Sequence, residues 1–127
     1  MSKDFHHSDR PGLYCIELRT QNWQATLDWY RSVLGLRVLV RVVDEGYALL
    51  DAGETRLALL ARDDPGEPSR RISFAFEVHD LAAMRERLEK AGVAISVPES
   101  NPEDLREINV VDPDGNRLRL FSWPRHH

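Results

Sequence analysis

From Leu13 onward the chain alternates, with Tyr14, Ile16 and Leu18 apolar and Cys15, Glu17 and Arg19 chemically mixed, which is the two-residue period of a half-buried strand. The period then lengthens. Trp23, Leu27, Tyr30 and Leu34 recur at helical spacing behind Asn22, a residue suited to an N-cap, so a helix is predicted to lay that stripe on a sheet until Gly35 ends it. Trp29 and Val33 sit on its flank. Arg37 to Val43 reads as a strand, Asp44-Glu45-Gly46 as a turn, Tyr47 to Leu50 as the next strand, and Thr55 to Ala61 as the return arm of a hairpin. Residues 62–70, rich in charge, proline and glycine, read as a linker.

After the linker the same grammar restarts. Ile72, Phe74, Phe76 and Val78 alternate with Arg71, Ser73, Ala75, Glu77 and His79. Asp80 is placed to cap a helix whose stripe is Leu81, Met84, Leu88 and Ala91, and Gly92 terminates it. Val93 to Val97 is predicted as a short strand, and Pro98 to Glu107 as a polar loop positioned to form a rim or lid. The closing hairpin, Asn109 to Phe121, reverses at Asp112-Pro113-Asp114-Gly115-Asn116. It echoes the hairpin from Ala48 to Leu60: Asp51 corresponds to Asp112 and Arg56 to Arg117, about sixty residues apart. The chain therefore reads as an α+β domain over 13–123, built from two tandem βαβββ modules (13–61 and 71–123), with a polar lead at 1–12 and a tail at 124–127. Each module covers one face of its sheet with a helix and leaves the other bare. The curved mixed sheets are thus expected to enclose a groove, the natural place for function.

Composition narrows the possibilities. With 127 residues, 42% hydrophobic and 30% charged, there is enough apolar material for one ordinary core. A net charge of -4 offers no basic field for nucleic acid, although fifteen of the seventeen cationic residues are arginine. Cys15 is the single cysteine, which precludes an internal disulfide and points to a reducing, cytoplasmic setting. No apolar run approaches about 18 residues and the N-terminus is polar, so neither a membrane span nor a signal peptide is predicted. His6-His7 and His126-His127, at opposite ends, read as surface residues rather than a metal site.

The repeated plan, together with Trp29-Tyr30-Arg31-Ser32-Val33-Leu34-Gly35-Leu36 and Asp112-Pro113-Asp114-Gly115-Asn116, resembles the vicinal oxygen chelate superfamily. That group includes glyoxalase I, extradiol dioxygenases, fosfomycin-resistance thiol transferases and bleomycin-resistance proteins. The resemblance runs from about Leu13 to Trp123 and implies the glyoxalase/bleomycin resistance/dioxygenase fold and a homodimer. Metal enzymes of the group place a His, Gln or Glu early in the first strand, a His or Glu on the first strand of the second half, and a Glu in the return arm of the last hairpin. Registered by helix starts and by the last turn, those positions hold Cys15, Arg71 and Arg119. A guanidinium is protonated and has no acceptor lone pair, so no metal or other cofactor is expected. The runner-up is a divalent ion held by Glu17 with Glu77 or His79.

By alternation, Cys15, Glu17, Arg19, Arg71, Ser73, Arg117, Arg119 and Phe121 are expected to face the groove, with Tyr47 at its edge. Arginines confined there need partners. In one reading Glu17 pairs with Arg119 or Arg71 and plugs the groove, leaving a non-catalytic interaction module. In another, the surplus positive charge binds a small anionic or oxygen-rich molecule through a forked guanidinium, and the same arginines argue against a cationic drug. A third is a metal-dependent lyase, thiol transferase or dioxygenase with atypical ligands. The catalytic candidates are Glu17 and Cys15, the latter because a thiolate beside arginine is nucleophilic, although a lone strand cysteine equally serves as a small core residue. Asp51 and Asp112 read as turn residues.

Overall fold

The computed structural model describes residues 9–98 and 106–123. The terminal histidine pairs, the start of the N-terminal lead, the middle of the polar loop after Pro98 and the C-terminal tail lie outside the described residues.

Period-two patterning produces the strands. Strand β1 (Ile16–Thr20) leads through Asn22 into helix α1 (Trp23–Asp28), which widens into a π-helical segment over Trp29–Val33. There follow β2 (Arg37–Val42), a 3-10 turn at Val43–Glu45, β3 (Tyr47–Ala52) and β4 (Thr55–Ala61). The second module gives β5 (Phe74–Glu77), α2 (Leu81–Lys90), β6 (Arg106–Val111) and β7 (Arg117–Ser122). One sheet has the order β1-β4-β3-β2 and the other β5-β7-β6. In each, the first strand pairs parallel with the last and the remaining pairs are antiparallel, so both sheets are mixed. The expected α+β architecture with a repeated module is what forms.

The predicted helix stripes meet in one core. Trp23, Leu27, Tyr30 and Leu34 are buried together with Ala48, Leu50, Leu57 and Leu59 of the first sheet, and with Leu88, Ile108, Val110, Leu118 and Leu120 of the second module. Polar contacts cross the same boundary. The Tyr30 hydroxyl donates to Asp112 Oδ2 at 2.7 Å, Asn22 Nδ2 donates to Asp114 Oδ1 at 3.4 Å, and an Arg87 Nη donates to the Ser32 carbonyl at 2.9 Å. Asp112 also holds its own turn, accepting from the backbone N–H groups of Asp114 and Asn116, each at 2.9 Å.

Five expectations are corrected. Strand β1 begins at Ile16, because the Leu13 and Tyr14 carbonyls accept from the side chains of Thr55 and Arg56 rather than from a neighbouring strand. Tyr14 is 61% exposed and lies under the Arg56 guanidinium. Strand β5 begins at Phe74: the Arg71 N–H bonds to Ser69 Oγ at 3.1 Å, a local turn that competes with strand pairing. The predicted strand Val93–Val97 shrinks to a single bridge, Ser96 to Asn109, and Ala91 is an exposed helix cap rather than part of the α2 stripe. Asn22 precedes α1 without a side-chain cap bond, its amide being turned to Asp114, whereas Asp80 Oδ1 caps α2 by accepting from the Ala83 N–H at 3.0 Å.

Candidate functional site

Cross-strand partners lie on the same face of a sheet, so the register defines which side chains line the faces the helices leave bare. On the second sheet Ala75, Arg119 and Asn109 stand in one row, and Glu77, Phe121 and Glu107 in the next. This face carries a cavity of about 550 Å³ whose polar wall is Ser73, Ser96, Glu107, Asn109, Arg117 and Arg119. Its floor comes from Ile95, Val110 and Leu118.

Arg119 grips Glu107 through two hydrogen bonds of 2.9 Å, from Nε and one Nη. The Glu107 side chain is 11% exposed and that of Arg119 50%. These bonds hold the Glu107 carboxyl below its ordinary range and raise the Arg119 guanidinium further. Arg117 donates to the Arg70 carbonyl and reaches the cavity from the hairpin turn. Among the described residues, two guanidinium groups therefore share the wall with one carboxylate. Asn109 Oδ1 is buried without a hydrogen-bond partner among the described residues, an acceptor that a ligand hydroxyl or N–H would satisfy.

On the first sheet the register puts Glu17, Arg19 and Tyr47 on one face. Glu17 and Arg19 approach at 3.7 Å, both half exposed, and line a separate cavity of about 360 Å³ against the linker and the last turn. Half-buried Cys15 lies near Tyr47, whose phenol is raised above its ordinary value, first by burial and then by the charges of Cys15, Tyr14 and Glu17. Phe121 packs edge-on against Trp123 with ring centres 5.4 Å apart.

The expected site residues thus fall into groups. Ser73, Arg117 and Arg119 come together in the larger cavity, while Cys15, Glu17, Arg19 and Tyr47 gather on the other sheet. Arg71 is exposed ahead of β5 and lines neither cavity. The expected Glu17 pairing with Arg119 or Arg71 is replaced by Glu17 with Arg19 and Arg119 with Glu107. Glu107, Asn109 and Ser96 are wall residues that the sequence pattern does not single out. Glu107 and Asn109 alternate with Ile108 and Val110, but the polar run from Pro98 to Glu107 reads as loop, whereas β6 begins at Arg106.

A divalent ion does not suit what stands here. Arginine cannot ligate, and among the described residues no group of three or more His, Cys, Asp or Glu side chains is placed to hold one. Nor does any helix among the described residues have the length and apolarity to cross a membrane.

Several known proteins are similar to this chain in sequence or in fold. A protein of Bacillus subtilis (strain 168), uncharacterized protein YraH, is 26% identical over 124 residues, covering 84% of this chain and 94% of its own. The crystal structure of TnmS3, an antibiotic binding protein from Streptomyces sp. CB03234, superposes with a TM-score of 0.73 at 22% identity, over 94% of this chain and 100% of that one. Lactoylglutathione lyase from Agrobacterium tumefaciens superposes with a TM-score of 0.69 at 17% identity, over 91% and 96%. The family description that matches spans residues 12–120, almost the entire repeated architecture, and by it the chain belongs to the Glyoxalase/Bleomycin resistance protein/Dioxygenase superfamily.

Proposed function

We propose that this chain binds a small anionic, oxygen-rich molecule on the open face of its second sheet, without the metal triad of the superfamily's metal enzymes. The observation that carries the reading is the cavity of about 550 Å³ in which, among the described residues, Arg117 and Arg119 face a single carboxylate, Glu107. The surplus positive charge suits a carboxylate or phosphate, and the unpartnered Asn109 Oδ1 suits a hydroxyl on the same ligand. A binding role has a counterpart in the fold, since TnmS3 is an antibiotic binding protein. Both sheets leave one face without a helix, which supports a homodimer in which two chains cover those faces, and the lone Cys15 suits the cytoplasm.

A thermal-shift screen of small carboxylates and phosphates tests this. A ligand at ten times its Kd raises the melting temperature by about 5 °C. Arg119→Ala and Arg117→Ala each lose most of that shift while staying folded, and Arg71→Ala keeps it. The reading fails if no anion stabilises the protein. It fails equally if protein lacking its terminal histidines purifies with stoichiometric nickel, zinc, manganese or iron, the result expected of a metal-dependent lyase, transferase or dioxygenase.

A further inference from the structure

Resting on the anion-binding reading above, we infer that the ligand is amphipathic, a carboxylate carrying an aryl or branched alkyl group that enters a crevice between the two modules. The crevice has a volume of about 180 Å³ and is lined by Ile16, Ala52, Leu57, Phe74, Ala75 and Phe76. That is room for one ring, since a dry apolar cavity of about 150 Å³ takes up benzene.

The crevice and the polar cavity share a wall. Ser73 lines both. Ala75, on the crevice side, is the direct cross-strand neighbour of Arg119 on the cavity side, so only one strand spacing, about 4.8 Å, separates the backbone of the crevice wall from the backbone that carries Arg119. Strand alternation makes the seam low. Phe74 and Phe76 turn to the core face and are half-buried, while the exposed positions between and before them are Ala75 and Ser73, two of the smallest side chains. Among the described residues, Ser73 and Ala75 therefore offer little bulk between the two spaces.

Among the described residues, the one cation that lines the crevice, Arg56, is already committed. The Arg56 guanidinium lies 4.3 Å from the Tyr14 ring centre and donates to the Tyr14 carbonyl at 2.8 Å. The acidic head of an amphipathic ligand goes to the polar cavity, where the described wall sets Arg117 and Arg119 against one carboxylate, and its apolar end to the phenylalanine-lined crevice across Ser73 and Ala75.

Calorimetric titration of the full chain with propionate, 3-phenylpropionate and 3-phenylpropan-1-ol tests the inference. The expected result is that 3-phenylpropionate binds on the order of tenfold tighter than propionate, from burial of the ring, and tighter than the alcohol. In Ala75→Leu, which fills the crevice, the ratio between the two acids falls toward one. Equal affinity for the two acids overturns the amphipathic ligand and leaves the anion reading standing, and so does a tenfold ratio that persists in folded Ala75→Leu. Equal affinity for acid and alcohol, or no binding of either acid, overturns both. The comparison on the unaltered chain decides even if the variant does not fold.

Discussion

Asp112 shows how much one side chain can hold. Its carboxylate accepts from the Tyr30 hydroxyl, the Asn116 side-chain amide and two backbone N–H groups, and it is only 3% exposed. The Tyr30 phenol is pushed far above its ordinary range, first by burial and then by Asp112, so it remains a donor at any working pH. Asp112→Ala strands that buried hydroxyl and unties the turn, and is expected to destabilise by about 3–5 kcal/mol. Tyr30→Phe leaves Asp112 its other donors and is expected to lose only about 1–2 kcal/mol. Urea unfolding of the two variants checks the order. Glu107 offers a second test, because Glu107→Gln releases Arg119 from its anionic partner and raises the cavity charge by one. Anion affinity is then expected to rise roughly three- to tenfold at low salt, read by calorimetry. The same group gives a pH signature. A carboxylate whose folded pKa is lowered contributes stability that is complete above its ordinary value of 4.5 and is lost as pH falls through the lowered one. The stability advantage of the parent over Glu107→Gln is therefore flat at neutral pH and disappears in acid.

Within the elements, backbone geometry decides outcomes that side-chain pattern leaves open. Gly46 closes the 3-10 turn before β3 with φ of 60°, and a Cβ there would lie 2.4 Å from the Ala61 Cβ. Gly53 also has positive φ, but nothing lies within 4 Å of its would-be Cβ. Gly46→Ala is expected to destabilise by about 2–4 kcal/mol, strain and overlap together, and Gly53→Ala by about 1 kcal/mol from strain alone. Thermal unfolding of the pair separates the two terms. In the first helix, the stripe from Trp23 to Leu34 is buried as its spacing predicted, yet the last turns are π-helical, with the Leu34 N–H reaching the Trp29 carbonyl at 3.0 Å. Hydrophobic period specified which face is buried and left the hydrogen-bond pitch undetermined. The late start of β5 has the same character: Arg71 fits the alternation, but the Ser69 turn ahead of it bonds its backbone first.

At the scale of the whole molecule, the two modules share a core and are tied by Tyr30 to Asp112 and by Arg87 to Ser32. The helix stripes of both halves belong to that one core. Urea unfolding is therefore expected to be one transition, coincident by tryptophan fluorescence and far-UV circular dichroism, because Trp23 reports the first module's packing and most secondary structure lies in both. Two separated transitions would show that the modules are independent. The same packing distributes the candidate site, since covering the inner faces with helices leaves each sheet's outer face to carry its own cavity.

The sequence by itself determined the repeated α+β plan, the buried helix faces and the role of the last turn, because these depend on periods of two and 3.6 residues and on turn chemistry, which are local. Which residues share a cavity was decided only by tertiary structure. Register between β5, β6 and β7 joined Ser73 and Arg119 to Glu107 and Asn109 and left Arg71 outside. The turn at Ser69 takes up the Arg71 N–H before β5 begins, and pairing between strands far apart in sequence decides which charges meet.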